Sequence, residues 1–399
     1  MIHAKMCKPR AFPWNSARDP EQIDRLQNIT GDQTLNREKV YEIGRVGRLG
    51  FKKGLPSFAY SATQFEYGSM DFFYALANKE NPISGGLDNS IDLDDLVETQ
   101  TDIAAFLTDD NATFRGTIWF PGLRVNGFSI NIADPDATIE RSFDLIGEDY
   151  KMIDGKYLSY ETATAAGATT VIVLDPVPIL YTATDYIFRV LRVRSGVVSE
   201  LEETTDWTFA APATVTITGC SAGDICKVYY PSATAYTTTW IDNNVDPDLL
   251  LAEYAEIRLK VGTGTRIYRL QSVGIDIAFD RADYKEIGNS EVVQRGVNNK
   301  TVTIALNRFA ENFALEDILA SDTIYPYIDP RNFAEDIQMQ VLIYGEKAHT
   351  NFKIGYLVTG LSPTTIGATQ DIEAYQQRTC NLESDNLKIS DDISEVAFI

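Results

Sequence analysis

The sequence predicts a mainly β protein: two copies of one β domain, each with a single helix, and a small β-sandwich between them. The first observation is a repeat, because residues 25–44 (RLQNITGDQTLNREKVYEIG) and 269–288 (RLQSVGIDIAFDRADYKEIG) agree at Arg, Leu, Gln, Asp, Arg and the closing Glu-Ile-Gly. The second is that short β-rich runs broken by Gly, Pro and Asn-Asp turns dominate both regions. The third is an intervening segment, 156–250, that is rich in Thr, Ala and Val.

The length and composition of the chain support several ordered domains. A chain of 399 residues is long enough for two or three domains with a substantial core. The composition, 44% hydrophobic with 20 Tyr and 19 Phe, is that of an ordered protein. No long polar or Pro/Gly/Ser tract interrupts it. Every region is therefore expected to fold.

The first copy follows an N-terminal arm (1–20) and is assigned to residues 21–155, and the second copy to 255–399. The offset of 244 that relates residue 25 to residue 269 also pairs Phe65 with Phe309, and we expect both side chains to be buried. Further on, apolar residues recur at three- and four-residue steps in GSMDFFYALAN and NFALEDILAS. This is the spacing of a helix with one buried face, so one helix is predicted in each copy.

Strand-like runs align after the helix as well. FRGTIWFPGL lies over FKIGYLVTGL at an offset of 238, and ERSFDLIGEDYKM lies over QRTCNLESDNLKI at an offset of 237. Leu145 and Leu382 are then equivalent, and we expect both to be buried. The small change in offset is what loop trimming produces. Two repeats at this long period indicate domain duplication and not a solenoid.

The middle segment, 156–250, predicts a domain of its own. Its strand-like runs, among them TTVIVLDP, DYIFRVLRVR and GDICKVYY, follow one another at intervals of roughly ten residues. This spacing is typical of a small β-sandwich of immunoglobulin-like kind. The run DNNVDPDLLLAEYAE at its end is interpreted as a linker and a short helix.

The sequence contains no constellation that would support catalysis. His3 and His349 are its two histidines, too few for a His-based triad or an H-E-x-x-H zinc site within one core. The glycine-rich runs GTGTR and GRVGRLG lack the GK[ST] of a phosphate-binding loop. We therefore expect a protein that is not an enzyme, with no catalytic, cofactor-binding or metal-binding residues.

Cysteines and clustered aspartates give no metal site either. Two cysteines, Cys220 and Cys226, could meet across a hairpin, but small buried thiols are the favoured interpretation, and no C-x-x-C pair exists. Two groups of aspartates lack the calcium-loop spacing and are interpreted as solvated turns. The remaining cysteines are Cys7 and Cys380, and the aspartates are Asp88, Asp92, Asp94, Asp95, Asp242, Asp246 and Asp248.

The charge of the chain limits its partners. The formal net charge is −22, from 57 acidic against 35 basic residues, and this opposes general binding to nucleic acid or anionic membranes. The N-terminal MIHAKMCKPR is not followed by an apolar stretch, and no run reaches the roughly 18 apolar residues that span a bilayer. A cytosolic protein that does not enter a membrane is expected.

The order of elements resembles the major tail tube protein of tailed bacteriophages. The resemblance rests on a strand that ends in a Glu-Ile-Gly turn, a long loop, a strand, one helix and further strands, in a chain without catalytic residues. The middle runs TDYIFRVLRVRSGVV, DWTF, ATVTIT and AGDICKVYY look like the small β modules of phage structural proteins. The resemblance covers nearly the whole chain.

The resemblance implies a mode of assembly. In that family six domains join edge to edge into a ring whose inner wall is a β-barrel, with the helices outside, and closure removes the exposed strand edges. A chain with two such domains would form the ring from three copies, and the rings would stack into a tube. The middle module would project outward, so that deleting about 158–245 would leave assembly possible.

The resemblance also implies partners and a location. Viral DNA would pass through the lumen without specific binding, and an acidic wall would suit this because it makes no phosphate contacts. Other tail proteins would be partners, such as a tape measure, a terminator, a distal tail protein or a sheath. The protein would reside in the virion tail after assembly in the host cytoplasm, with no cofactor and no membrane.

One loop of the first copy is more basic than its counterpart. Arg45, Arg48, Lys52 and Lys53 lie in GRVGRLGFKKGLP, whereas GNSEVVQRGVNNK in the second copy is less basic. These four residues are candidate ring-stacking contacts against acidic surface on the next ring. A solvated loop is the alternative interpretation.

Two other classes of protein fit the sequence. One is another tail or baseplate component, such as a distal tail protein, or the tube of a phage-derived injection machine. The other is a carbohydrate-binding or carbohydrate-cleaving β protein, because aromatic and acidic residues are plentiful. Glycan binding that depends on Trp207 or Trp240 would favour the second class.

Overall fold

The architecture is taken from a computed structural model of the chain. The structure describes residues 8–14, 20–34, 37–41, 48–53, 57–79, 90–109, 113–134, 136–147, 150–179, 187–234, 249–261, 263–267, 270–284, 294–309, 314–320, 333–369 and 377–399. These residues are mainly β-strand with two α-helices, and all strand pairs within the sheets are antiparallel. The prediction of a mainly β fold is confirmed.

The first half contains eleven strands and one α-helix in the described residues. Alternating apolar and polar residues, as in Glu140–Gly147, give each strand one buried face. A short 3₁₀ helix, Leu93–Leu96, follows β7. The elements are β1 (Lys8–Pro13), β2 (Glu21–Gln22), β3 (Leu26–Thr34), β4 (Arg37–Tyr41), β5 (Arg48–Lys53), β6 (Ser57–Phe65), α1 (Asp71–Ala77), β7 (Ser90–Asp92), β8 (Thr101–Thr108), β9 (Phe114–Ile132), β10 (Glu140–Gly147) and β11 (Lys151–Asp154).

The middle module consists of two small sheets around its own apolar core. One sheet has the order β12-β18-β14-β15 and the other β13-β17-β16. Trp207, Val215 and Ile217 are among the buried residues between them. The strands are β12 (Tyr157–Thr164), β13 (Thr169–Val173), β14 (Arg189–Arg194), β15 (Val197–Glu200), β16 (Trp207–Ala210), β17 (Thr214–Thr218) and β18 (Ile225–Ser232).

The second half begins after a short 3₁₀ helix, Ala252–Tyr254. In it, long strands take the place of pairs of shorter ones in the first half. Its elements are β19 (Ala255–Val261), β20 (Thr263–Arg266), β21 (Leu270–Tyr284), β22 (Gln294–Phe309), α2 (Ala314–Leu319), β23 (Ile337–Tyr344), β24 (Phe352–Thr369), β25 (Gln377–Ser384) and β26 (Asn386–Ser390).

The two halves pair their strands in the same order. In the first half β2, β1, β8, β9, β10, β6 and β3 are successive neighbours, and β11 also pairs with β9. In the second half β20, β19, β23, β24, β25, β22 and β21 follow the same course, and β26 pairs with β24. The registers agree as well, since Leu145 faces Tyr60 and Leu382 faces Ile304.

A strand pair joins the halves into one sheet. Antiparallel pairing of β9 with β21 runs from Ile132 opposite Val273 to Gly127 opposite Ala278. The result is a continuous run of eight strands in the order β3-β6-β10-β9-β21-β22-β25-β24. A second link is made by β7, which pairs with β26. Within the described part of the chain, this sheet does not close into a barrel.

Both helices lie on the apolar side of the eight-stranded sheet. Phe72 and Phe73 of α1 make edge-to-face contacts with Phe143 of β10, at centroid distances of 4.8 and 5.4 Å. Leu315 and Leu319 of α2 belong to the same apolar core. Leu145 and Leu382 are also buried there, as their alignment predicted.

The expected burial of Phe65 and Phe309 is wrong. Phe65 is only half-buried and Phe309 is 38% exposed. The registers explain this, because Phe65 faces Glu140 and Phe309 faces Gln377, both on the polar side of the sheet. Side chains alternate along a strand, so the neighbouring position, one residue earlier, faces the core instead.

Candidate functional site

The polar side of the eight-stranded sheet carries acidic side chains, and we call this side the acidic face. Its other residues are mostly small or polar, such as Thr30, Ser61 and Ser129. All of the acids are exposed to solvent. They are Asp32, Glu140, Asp144, Asp276, Asp280 and Glu383.

Basic side chains of the same strands point away from this face. Arg141, Arg308 and Arg378 occupy alternate positions that face the core side. Among the paired positions that the structure describes on the acidic face, Arg124 is the one base; it lies at the border opposite Ile146 and 3.4 Å from the carboxylate of Glu98. The face therefore repels anions and offers no array of cations for a phosphate backbone.

Buried charges behind the sheet connect the two halves. Arg141 donates through Nη1 to Glu66 at 3.3 Å, and Tyr356 of the second half donates its hydroxyl to Glu66 at 2.8 Å. Arg141 and Glu66 are fully buried. Burial, together with the Glu66 charge, raises the pKa of Tyr356 well above its usual value, so the phenol stays a donor. Because every member is enclosed, this cluster fixes the halves against each other and is not open to a substrate.

In the described part of the chain, the eight-stranded sheet ends in two open edges. Among these residues β3 pairs only with β6, and the last part of β24, Ser362–Thr369, pairs only with β25. The equivalent strands at the centre, β21 and β9, have a partner on both sides. An unpaired edge presents free N–H and C=O groups that favour pairing with another strand. At the central joint, the strands equivalent to these two edge strands pair with each other.

Side-chain contacts reinforce the central joint. Arg281 of β21 donates from Nε to the carbonyl of Val125 at 2.8 Å and from Nη2 to the carbonyl of Val97 at 2.9 Å. Lys300 of β22 donates to Asp94 at 2.5 Å. The joint is thus held by main-chain pairing and by cations of the second half that reach oxygens of the first.

A second buried acid holds the module against the first half. Asp102 accepts hydrogen bonds from the indole nitrogens of Trp14 (2.6 Å) and Trp119 (3.1 Å) and from the amide of Gly122 (2.7 Å). Arg189 of the module lies 3.8 Å away. Burial raises the pKa of Asp102, which Arg189 and the three donors oppose. Shifted carboxyl pKa values are common in active sites, but these partners occupy both oxygens, so Asp102 is an anchor.

The predicted ring-stacking residues lie on a separate hairpin. β4 and β5 pair only with each other in the described residues, with Lys52 opposite Glu38 and Arg48 opposite Tyr41. Lys53 is on the same strand, and Arg45 lies outside the described residues. Their assignment as stacking contacts stays a prediction.

The residues considered for other chemistry do not form a site. Cys220 and Cys226 are buried free thiols with their sulfur atoms 3.7 Å apart, and burial, with the neighbouring Cys220, raises the pKa of Cys226 to about 12. Trp207 is buried and donates to the Leu201 carbonyl, so its ring is not free to stack on a sugar. Trp240 lies outside the described residues.

The aspartate clusters act locally where they are described. Asp92 and Asp95 cap the 3₁₀ helix reciprocally, and Asp94 contacts Lys300. Asp88 and the group Asp242, Asp246 and Asp248 lie outside the described residues, as do His3 and Cys7. In the part of the chain that is described, no three His, Cys, Asp or Glu side chains cluster as metal ligands.

Sequence reasoning missed the residues that make the joints. Arg281 and Asp102 carried no motif, although Arg281 is one of the identities in the repeat, where its counterpart is Arg37. That identity was the available signal. Asp102 had none, because its partners are distant in sequence.

Comparison with known proteins gave no assignment. No helix in the described residues combines the length and apolarity that crossing a membrane requires. No protein family model matches the sequence, and no curated protein matches it either.

Proposed function

We propose that the protein is a structural subunit of the tail tube of a tailed bacteriophage, in which the acidic face lines the conduit for DNA. The observation that supports this most directly is the central joint between β9 and β21. The equivalent two edges recur at the ends of the same sheet, where no described strand pairs with them. In this proposal the protein is not an enzyme and holds no cofactor. Its activity is assembly.

The two halves are, in this proposal, copies of one domain. They share their strand order, a helix on the same side of the sheet and equivalent core leucines, Leu145 and Leu382. Both long strands also carry a register shift at the same place, after Val125 in β9 and after Pro363 in β24. Such agreement in irregular features favours duplication, because bulges are retained within families of domains.

Ring closure follows if the open edges pair as the central ones do. Transferring the register of the β9–β21 joint sets Ile366 opposite Gln33, Gly367 opposite Asp32 and Ala368 opposite Gly31 of the next chain. A ring of six domains then needs three chains and has pseudo-sixfold symmetry. Closure satisfies the open edges that would otherwise pair without control.

The dimensions of such a ring suit a conduit. Three chains of eight strands give a wall of 24 strands, and strands 4.8 Å apart at the usual tilt of barrels close to a diameter of roughly 45–50 Å between backbones. The helices and apolar core lie outside this wall. The acids line the inside, so DNA meets repulsion and no specific contacts.

The same proposal includes the stacking contacts, the location and the partners of the protein. Rings stack into a tube, and Arg45, Arg48, Lys52 and Lys53 are proposed as stacking contacts. The protein resides in the virion tail after assembly in the host cytoplasm. Its partners are other tail proteins, such as a tape measure, a terminator, a distal tail protein or a sheath.

Imaging of the purified full-length protein tests the function. We expect cryo-electron microscopy to show hollow rings or stacked tubes, and native mass spectrometry to show multiples of three chains. Each ring should contain both halves in alternation around the lumen. A strict monomer at every concentration, or six chains per ring with one half at the lumen, would contradict the proposal.

A further inference from the structure

One arginine of the second half, Arg281, holds the margin of the central joint. Arg281 lies just beyond Ala278, the last residue of β21 that pairs with β9, and donates two hydrogen bonds to main-chain carbonyls of the first half, those of Val125 and Val97. It also lies over the ring of Phe279, with 5.4 Å between guanidinium and centroid. Bonds from a charged donor to a carbonyl in a partly buried place are stronger than ordinary ones. Arg281 therefore fixes the position of β21 along β9.

Arg37 is the counterpart of Arg281 in the repeat; it begins β4 of the separate β4–β5 hairpin, directly after the part of the chain that contains the open edge strand β3. Arg281 pairs opposite Val297, and Arg37 pairs opposite Lys53, which is the equivalent residue at the offset of 244. Both arginines follow a one-residue shift in pairing, from Asp280 opposite Asn299 to Arg281 opposite Val297, and from Thr34 opposite Ser57 to Arg37 opposite Lys53. Unlike Arg281, which is partly buried, Arg37 is exposed in the single chain.

We infer that Arg37 is the positioning residue of the joint between chains, and that its acceptor is the main-chain carbonyl of Pro363 in a second copy of this chain. Pro363 is the counterpart of Val125, because it faces Leu382 as Val125 faces Leu145 and precedes the same register shift. The occupant of the open β3 edge is thus the last part of β24 of a neighbour. This inference rests on the proposed function, because it names the contact through which the ring closes.

The chemistry of the edge supports this partner. Pro363 has no N–H to pair but keeps a carbonyl, which is suited to accept a bond from a side chain at the margin of a joint. Strand pairing alone leaves register weakly specified where side chains are small, as they are at Gly31, Gly367 and Ala368. A forked cation aimed at one carbonyl specifies the register.

Substitution of Arg37 tests the inference in the full-length chain. We expect Arg37→Gln to raise the protein concentration at half-assembly by roughly tenfold or more, since bonds from charged donors are lost. The melting temperature of the dissociated monomer should not change. Arg37→Lys should recover only part of the loss, because lysine lacks the planar fork.

Arg281→Gln is the matched control. The same contact lies within one chain there, so this variant should lower the melting temperature of the monomer. Sedimentation velocity and native mass spectrometry over a concentration series measure assembly, and differential scanning calorimetry measures the monomer. Assembly of Arg37→Gln at the wild-type concentration would overturn the role of Arg37 while leaving the proposed function intact.

A cross-link measures the register independently. In the transferred register Thr369 faces Thr30 of the neighbour, so a Thr30→Cys, Thr369→Cys double variant should form disulfide-linked multimers under mild oxidation. The off-register pair Thr30→Cys, Thr365→Cys should not. Equal linking of both pairs would overturn the register, and a wild type that never assembles would overturn the proposed function itself.

Discussion

Each half has a second apolar surface, separate from the main core, and the two halves cover this surface in different ways. In the first half this surface includes Phe12, Phe106 and Trp119, and the middle module packs over it with Leu191 and Tyr229. In the second half the equivalent surface includes Leu342 and Leu357. The chain's last residues, with Val396 and Phe398, pack over it, and we call this segment the C-terminal tail.

The polar anchors of the two covers differ in chemical kind. The module is fixed by the buried carboxylate of Asp102 and by Lys227, which donates to the Pro13 carbonyl at 2.5 Å inside the interface. The tail is fixed by Gln340, which donates from Nε2 to the Val396 carbonyl at 2.7 Å. The strand order that the two halves share does not require this difference. It shows that an apolar second layer must be covered in each half, and that the cover can be a domain or a few residues.

Removal of the module should have the largest effect. Deleting about 158–245 exposes several large side chains, among them Phe12 and Trp119, each of which contributes about 1.5–3 kcal/mol by burial. The sum approaches the whole stability of a typical domain, about 5–15 kcal/mol. We expect this variant to aggregate, measured by static light scattering and by dye binding to exposed apolar surface.

A compensated deletion separates the module's cover from any role in assembly. Polar substitutions of Phe12, Phe106 and Trp119 in the same deletion should restore solubility, since the exposed surface is then no longer apolar. The sequence had favoured a module whose deletion leaves assembly possible. A deletion variant that is soluble and folds cooperatively without those substitutions would contradict this expectation. The module would then not be needed to cover the apolar surface of the first half.

Loss of the acid anchor should come next. Asp102→Ala leaves the indole donors of Trp14 and Trp119 without their acceptor and removes the buried carboxylate beside Arg189. Removing one member of a buried charged group typically costs about 3–5 kcal/mol. Urea unfolding followed by tryptophan fluorescence measures the change. Asp94→Ala is a suitable control, because Asp94 is an exposed aspartate and should change the free energy of unfolding by less than about 1 kcal/mol.

Features of the fold that depend on residues close in sequence could be predicted, whereas features that depend on contacts between residues distant in sequence could not. The β class and the helix positions could be predicted from local patterns. These patterns are repeats such as those around Arg37 and Arg281, and apolar alternation such as that around Leu145. The faces of Phe65 and Phe309 were mispredicted because a single-residue register decides them. Asp102 and the acidic face depend on pairs that are distant in sequence, and composition alone could not show which acids share a side.

Weakening the tail cover should have a smaller effect than removing the acid anchor. Val396 is fully buried, and a β-carbon placed on Gly355 would approach its Cγ2 to 2.7 Å, so the tail packs directly on the strand. Val396→Ala should lower the free energy of unfolding by about 1–3 kcal/mol through lost burial and the cavity left behind. Hydrogen exchange should then rise in the residues next to Val396. Equal protection in wild type and variant would mean that the tail does not act as a cover.

The smallest effect is expected at the amide anchor of the tail. Gln340→Ala removes one neutral hydrogen bond to the Val396 carbonyl, whereas its Oε1 atom is buried without a partner among the described residues, so part of the loss is offset. A neutral bond contributes about 0.5–1.5 kcal/mol, and we expect a change at the lower end of that range, measured by urea unfolding. The ratio of this change to that of Asp102→Ala sharpens the comparison, because it compares a neutral with a charged anchor beneath equivalent covers. If the two substitutions destabilise the protein equally, the tail is held as firmly as the module, and the halves differ only in the size of what covers them.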